Sequence, residues 1–418
     1  TALQDGAENV AIGTNSMAAA TSGSQNTCLG HNSGAALSSG SGYNVLLGHG
    51  AGASITSGNR NIAIGVSSMD GFDTETHNLG IGISALGGSV AGGEYNVAIG
   101  NYALSSLTSA DANVAVGYEA GKAITGGSDG VVVIGYQAGV ALTDCSSSVF
   151  IGYQAGDGHD DEDHNIGIGR HALGGSVAGG EYNVCIGSYA GDAITSGDSN
   201  TIVGYNCGGS VTTGFENTLI GQESGTAITE GRDNVCIGEY SASNLTTGDF
   251  NVNVGNNTTT DGVDAQHQIT MGYGIGSNGD NNFTFGKSGN RVYNNFSSNA
   301  SWTRSSDERK KQNIKDDNLG LNFINELRPV TFQWKPSNEF PKEWDEYNEE
   351  NQMDTDIVMH GLIAQEVKSA LDKAGVDTFG GWTENKDGMQ NISREMFVFP
   401  LINAVRELSA KVKALEEA

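Results

Sequence analysis

The chain has 418 residues, with 49 Asp plus Glu against 21 Lys plus Arg and a net charge of −28. That balance argues against binding a phosphate backbone, which needs cations to displace counterions, and against docking on anionic lipid. It suits a long particle kept soluble by its own charge.

No apolar run approaches the ~18 residues of a membrane span, so neither nucleic acid nor membrane insertion is expected. The first twenty residues lack a basic n-region and an apolar h-region, so no secretion signal is expected there. The chain opens on Thr rather than Met, as a fragment or a processed product would.

From Asn9 the sequence is a repeat. "NVAIG" at Asn9 to Gly13 returns as "NTCLG", "NVLLG", "NIAIG" and onward to "NFTFG" at Asn282 to Gly286. The closing glycines follow one another at 17 or 18 residues except for a last gap of 14, which gives seventeen copies. Asn opens fourteen of them, with Val131, Ser148 and Gln268 as the exceptions. "ALGGSVAGGEYNV" occurs at Ala85 and again at Ala172, 87 residues or five repeats later.

Two aliphatics at i and i+2 share one face of a strand, with a small residue between them. Gly then permits a turn of positive φ, and "ITSG" is a further turn signal. One copy cannot bury its apolar face, whereas stacked copies can, each strand pairing with the next rung. Asn once per rung predicts a ladder of side-chain amides. At ~4.8 Å per rung, seventeen rungs make a rod of roughly 80 Å. The fold class expected is mainly β: a β-solenoid over 1–286, a polar connector over 287–305, and a different domain over 306–418.

The five cysteines, Cys28, Cys145, Cys185, Cys207 and Cys236, contain no CxxC, and three share one repeat position. They read as small packing residues rather than ligands or disulfide halves. "DGHDDEDHN", Asp157 to Asn165, has His and Asp at spacings that bind divalent cations, but it reads as an acidic solvated loop between rungs. No metal site and no cofactor is therefore assigned. Single tyrosines after the turn, as in "GYEAG" and "GYQAG", read as rung edges rather than a carbohydrate platform. The rod itself is expected to be non-enzymatic.

Composition breaks near residue 300. All four Pro and all four Trp lie beyond it, with 15 of the 21 Lys plus Arg and only six of the 62 Gly. "LGLNFINEL" from Leu319 has helical spacing, and "PVTFQWK" from Pro329 alternates as a strand does. "HGLIAQEVKSALDKAG" from His360 runs into a helix closed by Gly375. The last segment, about 400–418, spaces Leu401, Val405, Leu408, Val412 and Leu415 as a coiled-coil seam. Val at a and Leu at d favour two strands by the usual rule.

At the break stands "SSDERKKQNI" from Ser305. Read locally, Ser305 and Glu308 form a capping box, S-x-x-E. Followed in order by "LRPVTFQWK", "HGLIAQEV" and a terminal coiled coil, it resembles the intramolecular chaperone and self-cleaving domain of phage tail spikes, tail fibres and endosialidases. The repeats resemble those of trimeric adhesin heads and the glycine-rich repeats of phage fibres.

The resemblance implies a homotrimer whose C-terminal domain drives assembly and then removes itself by single-turnover serine endopeptidase action. The pattern SDxRxK falls on Ser306, Asp307, Arg309 and Lys311. It implies Ser306 as nucleophile, Lys311 as general base, and cleavage between Ser305 and Ser306. Asp307, Arg309 and His360 would support the site, while Gln365 and Glu366 are assigned no catalysis.

A serine hydroxyl needs a neighbouring base, and a lysine serves only if burial or nearby positive charge, here Arg309 and Lys310, lowers its pKa. Residues five apart on an α-helix lie ~140° apart, so either Ser306 precedes the helix or its partner comes from another subunit. The expected protein is thus a virion tail fibre or spike of a bacteriophage, assembled in the host cytoplasm. Its expected partners are two further copies of itself, other tail proteins and a host surface receptor, glycan or protein. The alternatives are a trimeric bacterial surface adhesin and a polysaccharide-degrading tailspike.

Overall fold

The computed structural model describes residues 6–297 except 39, 90, 91 and 176–178, and residues 306–418 except 343, 345, 346, 348, 352, 354 and 387. The chain separates into two compact units, Thr1–Ser305 and Ser306–Ala418.

In the first unit, seventeen short strands run from β1 (Val10–Ile12) to β17 (Asn282–Lys287). Each pairs in parallel with the next, in register, as Val10 with Thr27 and Val45 with Ile62. This is the β-solenoid. The last strand pairs antiparallel with β18 (Asn290–Asn295). Residues 287–295, expected to belong to a connector, therefore form a hairpin on the last rung. Alternation in "NRVYNN" is too polar to signal a strand by itself; pairing with an open edge supplies the drive.

The strand faces are oriented opposite to the expectation from the aliphatic pairs. From the second strand to the fifteenth the middle residue points into the roll, as with Cys28, Leu46, Val133, Phe150, Ile202 and Leu219, all buried. The flanking aliphatics face outward, and Val10, Ile12, Leu29, Ile62, Ile186, Ile220 and Ile237 are exposed. The core is completed from the turns by a small residue such as Ala120, Ala138 or Ala190 and by an aliphatic such as Ile124, Leu142 or Ile194. All five cysteines are free and buried.

Two columns set the rise of the stack. Gly48 holds φ +142, and a Cβ there would lie 2.3 Å from the Gly65 carbonyl oxygen; the closing glycine is fixed by both backbone conformation and contact. The second column is Asn. Asn183 Oδ1 accepts from the backbone N–H and from the Nδ2 of Asn200, each at 3.0 Å, and Asn200 Nδ2 also donates to the Gly214 carbonyl at 2.9 Å. The ladder breaks at Val131 and Ser148, and Asn113 Nδ2 is left without a partner.

The tyrosines also stack. Tyr118, Tyr136 and Tyr153 lie ring on ring with centroids 5.4 and 5.2 Å apart. Their faces are covered by one another, so the ladder offers edges and hydroxyls rather than ring faces.

The acidic segment from Asp157 differs from its reading as a solvated loop. Asp160 and Asp161 are exposed, but His159 is 0% and Glu162 2% exposed.

The second unit is α+β. It contains α1 (Leu321–Glu326), β19 (Val330–Phe332) antiparallel to β20 (Met359–Gly361), α2 (Ala364–Lys373), the hairpin β21 (Trp382–Glu384) with β22 (Gln390–Ile392), and α3 (Val398–Glu416). Leu319, Phe323, Val367, Ala370, Leu371 and Phe397 form its core. Gly375 follows α2 with φ +69. α3 starts two residues before Pro400, because proline is tolerated in a first turn. Asn403 on α3 donates to the carbonyls of Asp317 and Leu319, which ties the final helix to the start of α1. Among the described residues no helix is long and apolar enough to cross a membrane.

Candidate functional site

The second unit opens with a single 3₁₀ turn, Glu308–Lys310. Asp307 caps it, in extended backbone, its carboxylate accepting the Arg309 N–H at 2.9 Å. Of the capping box read on Ser305 and Glu308, Ser305 lies outside the described residues.

The Arg309 guanidinium turns back on the same carboxylate, Nε to Oδ1 at 3.0 Å and Nη2 to Oδ2 at 2.7 Å. This forked pair holds the Asp307 carboxyl below the usual carboxylate range. It also neutralises Arg309, so of the two cations expected beside Lys311, Lys310 alone is without that partner.

Lys311 closes the turn in extended backbone, with φ −113 and ψ 149. Ser306 precedes the turn and Lys311 follows it, so the helical angle that separates residues five apart does not apply. Their side chains meet: Lys311 Nζ donates to Ser306 Oγ at 2.7 Å. Both are exposed, as a site awaiting a covering surface would be.

His360 is elsewhere. It sits on β20 opposite Thr331 and lines a groove of about 910 Å³ with Arg328, Phe332, Trp334, Gln365 and Arg394. Neither Ser306 nor Lys311 lines that groove. Glu366 pairs with Arg328 of the same chain, Nε to Oε2 at 3.2 Å, and its carboxyl is lowered by that bond. The fork of Asp307 and Arg309 was not foreseen in the sequence; its signal is Asp two residues before Arg at a helical start. Trp334 lies in the "LRPVTFQWK" motif but Arg394 carries none, and their shared groove becomes visible only once β19, β20 and β22 are assembled.

A long in-register β-solenoid is followed in the chain by a small α+β domain with an exposed terminal helix. Residues 306–376 match the family described as Chaperone of endosialidase, a peptidase family, and the match starts at the first residue of the second unit. Through that match the C-terminal domain resembles a family of self-cleaving intramolecular chaperones, which supports a tail fibre- or spike-type protein. Comparison with curated proteins and with solved structures gave no match.

Proposed function

We propose that this chain is a bacteriophage tail fibre or spike whose C-terminal domain assembles three copies and then cuts itself off between Ser305 and Ser306. The solenoid is the shaft that reaches the host surface. The observation that carries the cleavage reading is the contact between Lys311 Nζ and Ser306 Oγ, placed where the matched family segment begins.

In the proposed reaction, Lys311 as a free amine takes the Ser306 hydroxyl proton. Ser306 Oγ attacks the carbonyl carbon of Ser305, and the bond from that carbon to the Ser306 nitrogen breaks. The nitrogen receives the proton from Lys311. The resulting ester joins Ser305 to Ser306 Oγ, and water hydrolyses it to a Ser305 carboxylate and a restored Ser306 hydroxyl. In this chemistry a covered, desolvated site favours the free amine. In a trimer a neighbouring copy supplies that cover, which makes cleavage a report of assembly.

Self-association is supported on each unit separately. Leu401, Val405, Leu408, Val412 and Leu415 are all exposed on α3, and the solenoid shows its outward aliphatic rows. Intact mass of the purified chain against Ser306→Ala and Lys311→Ala tests the reading. Fragments 1–305 and 306–418 in the unmodified protein, with both variants whole, are the expected result. A folded trimer that stays whole on prolonged incubation refutes self-cleavage for this chain.

A further inference from the structure

The 87-residue internal duplication gives each rung a sister. Glu75 and Glu162 are one such pair, and they make the same two contacts. Glu75 accepts from the N–H groups of Asp73 at 2.6 Å and Gly92 at 3.1 Å. Glu162 accepts from Asp160 at 3.2 Å and Gly179 at 2.9 Å. This buried carboxylate is thus a backbone clamp common to both rungs.

The rungs differ beside it. Phe72 and Thr74 in the first become His159 and Asp161 in the second. His159 stands where other rungs put Ile124, Leu142, Ile194 or Ile228 into the core. Its side chain is fully buried, tilted against Phe150 with ring centroids 5.1 Å apart. Neither ring nitrogen has a hydrogen-bond partner. Such a burial is unfavourable unless something binds the nitrogens.

Nδ1 points at Glu162 Oε2 from 3.6 Å. That is too long for a hydrogen bond, but two ligands of one tetrahedral ion with bonds of about 2.1 Å lie about 3.4 Å apart. Carboxylate oxygens of Asp160, Asp161 and Glu162 all lie within 4.8 Å of one another; His159 is outside that group and meets it through Glu162, so the Asp160 and Asp161 side chains must close in for all four to share one ion. Each Glu162 oxygen has a second lone pair beyond its backbone bond. Three carboxylates crowd together, and Asp160 followed by Glu162 pushes the Asp161 carboxyl up.

We propose that His159, Asp160, Asp161 and Glu162 form a binding site for one divalent transition-metal ion. One imidazole nitrogen among carboxylate oxygens suits Zn²⁺ or Mn²⁺, whereas Ca²⁺ takes an all-oxygen set. The ion satisfies the buried nitrogen, neutralises the acidic turn, and fastens an exposed loop to the roll's core. The inference is independent of the cleavage reaction, since it concerns the solenoid alone.

The test uses the full chain, stripped with EDTA and dialysed against ZnCl₂, MnCl₂ or CaCl₂, with metal content and thermal unfolding as readouts. His159→Phe and Asp161→Thr restore the residues of the sister rung, which folds with them. One Zn²⁺ or Mn²⁺ per chain, a rise in Tm on loading, and loss of both in His159→Phe with weakening in Asp161→Thr are expected. Phe72→His combined with Thr74→Asp should raise the stoichiometry to two. The proposal is overturned if His159→Phe retains metal and Tm response, if no ion loads, or if Ca²⁺ alone binds and does so equally in both variants.

Discussion

Asn200 Oδ1 accepts both the backbone N–H and the Nδ2 of Asn217, each at 3.1 Å, inside a rung stack where neither residue touches solvent. The amide therefore replaces water for a backbone group that a three-residue strand leaves unpaired. Asn200→Ala strands the Asn217 donors and is expected to cost about 1–3 kcal/mol, read as a fall in the denaturant midpoint with an unchanged slope.

Val131 offers the next rung no such acceptor. Val131→Asn should extend the ladder from Asn113 towards Ser148 and stabilise the solenoid by about 1 kcal/mol. A lower Tm for this variant would mean that the roll cannot seat the amide at that rung.

Glu162 gives the solenoid an acid-sensitive point. Burial raises its pKa, but His159 and the N–H groups of Gly179 and Asp160 outweigh that and hold it at about 2, against an ordinary 4.5. A depressed folded pKa means the unfolded chain binds the proton first. The stabilisation is fully present above pH 4.5 and is lost as pH falls towards 2. In metal-free buffer, Tm plotted from pH 6 to pH 2 should fall more steeply for the native chain than for Glu162→Gln.

The repeat made the solenoid legible, because a period of 17 or 18 with one Gly and one Asn per copy leaves few other ways to hide the apolar residues. Which side of the strand faces the core was not legible. "NVAIG" shows two large residues around a small one. In the roll the middle position faces inward whatever its size, Ala98 and Ala115 in some rungs and Leu46, Phe150 or Leu219 in others, so size could not mark the inward side. His159 was hidden because the acidic letters around it outweighed its place in the column filled by Ile124 and Leu142. In the second unit, Ser306 and Lys311 were legible as a motif, but the short turn capped by Asp307 that brings them together was not.

The fork between Asp307 and Arg309 is solvent-exposed, so its contribution is small. Arg309→Ala is accordingly expected to slow cleavage by no more than about fivefold, in a time course followed by denaturing gel. A block as complete as that of Ser306→Ala would give Arg309 a direct part in the reaction.

Leu408→Asp places a charge in the exposed seam of α3 while leaving the buried Ala404 and the Asn403 bonds to Asp317 and Leu319 untouched. The domain should keep its fold and lose its self-association. Sedimentation would report a smaller species, and uncut chain should accumulate if assembly licenses cleavage.

The Gly column treats every interior rung alike, and the Asn column all but those of Val131, Ser148 and Gln268, so the solenoid can be lengthened or shortened in whole rungs without redesigning its cross-section. A block of 87 residues adds five steps, about 24 Å at 4.8 Å each. Reach becomes a quantity that recombination can adjust by copying a block, while the domain that builds the fibre stays the same.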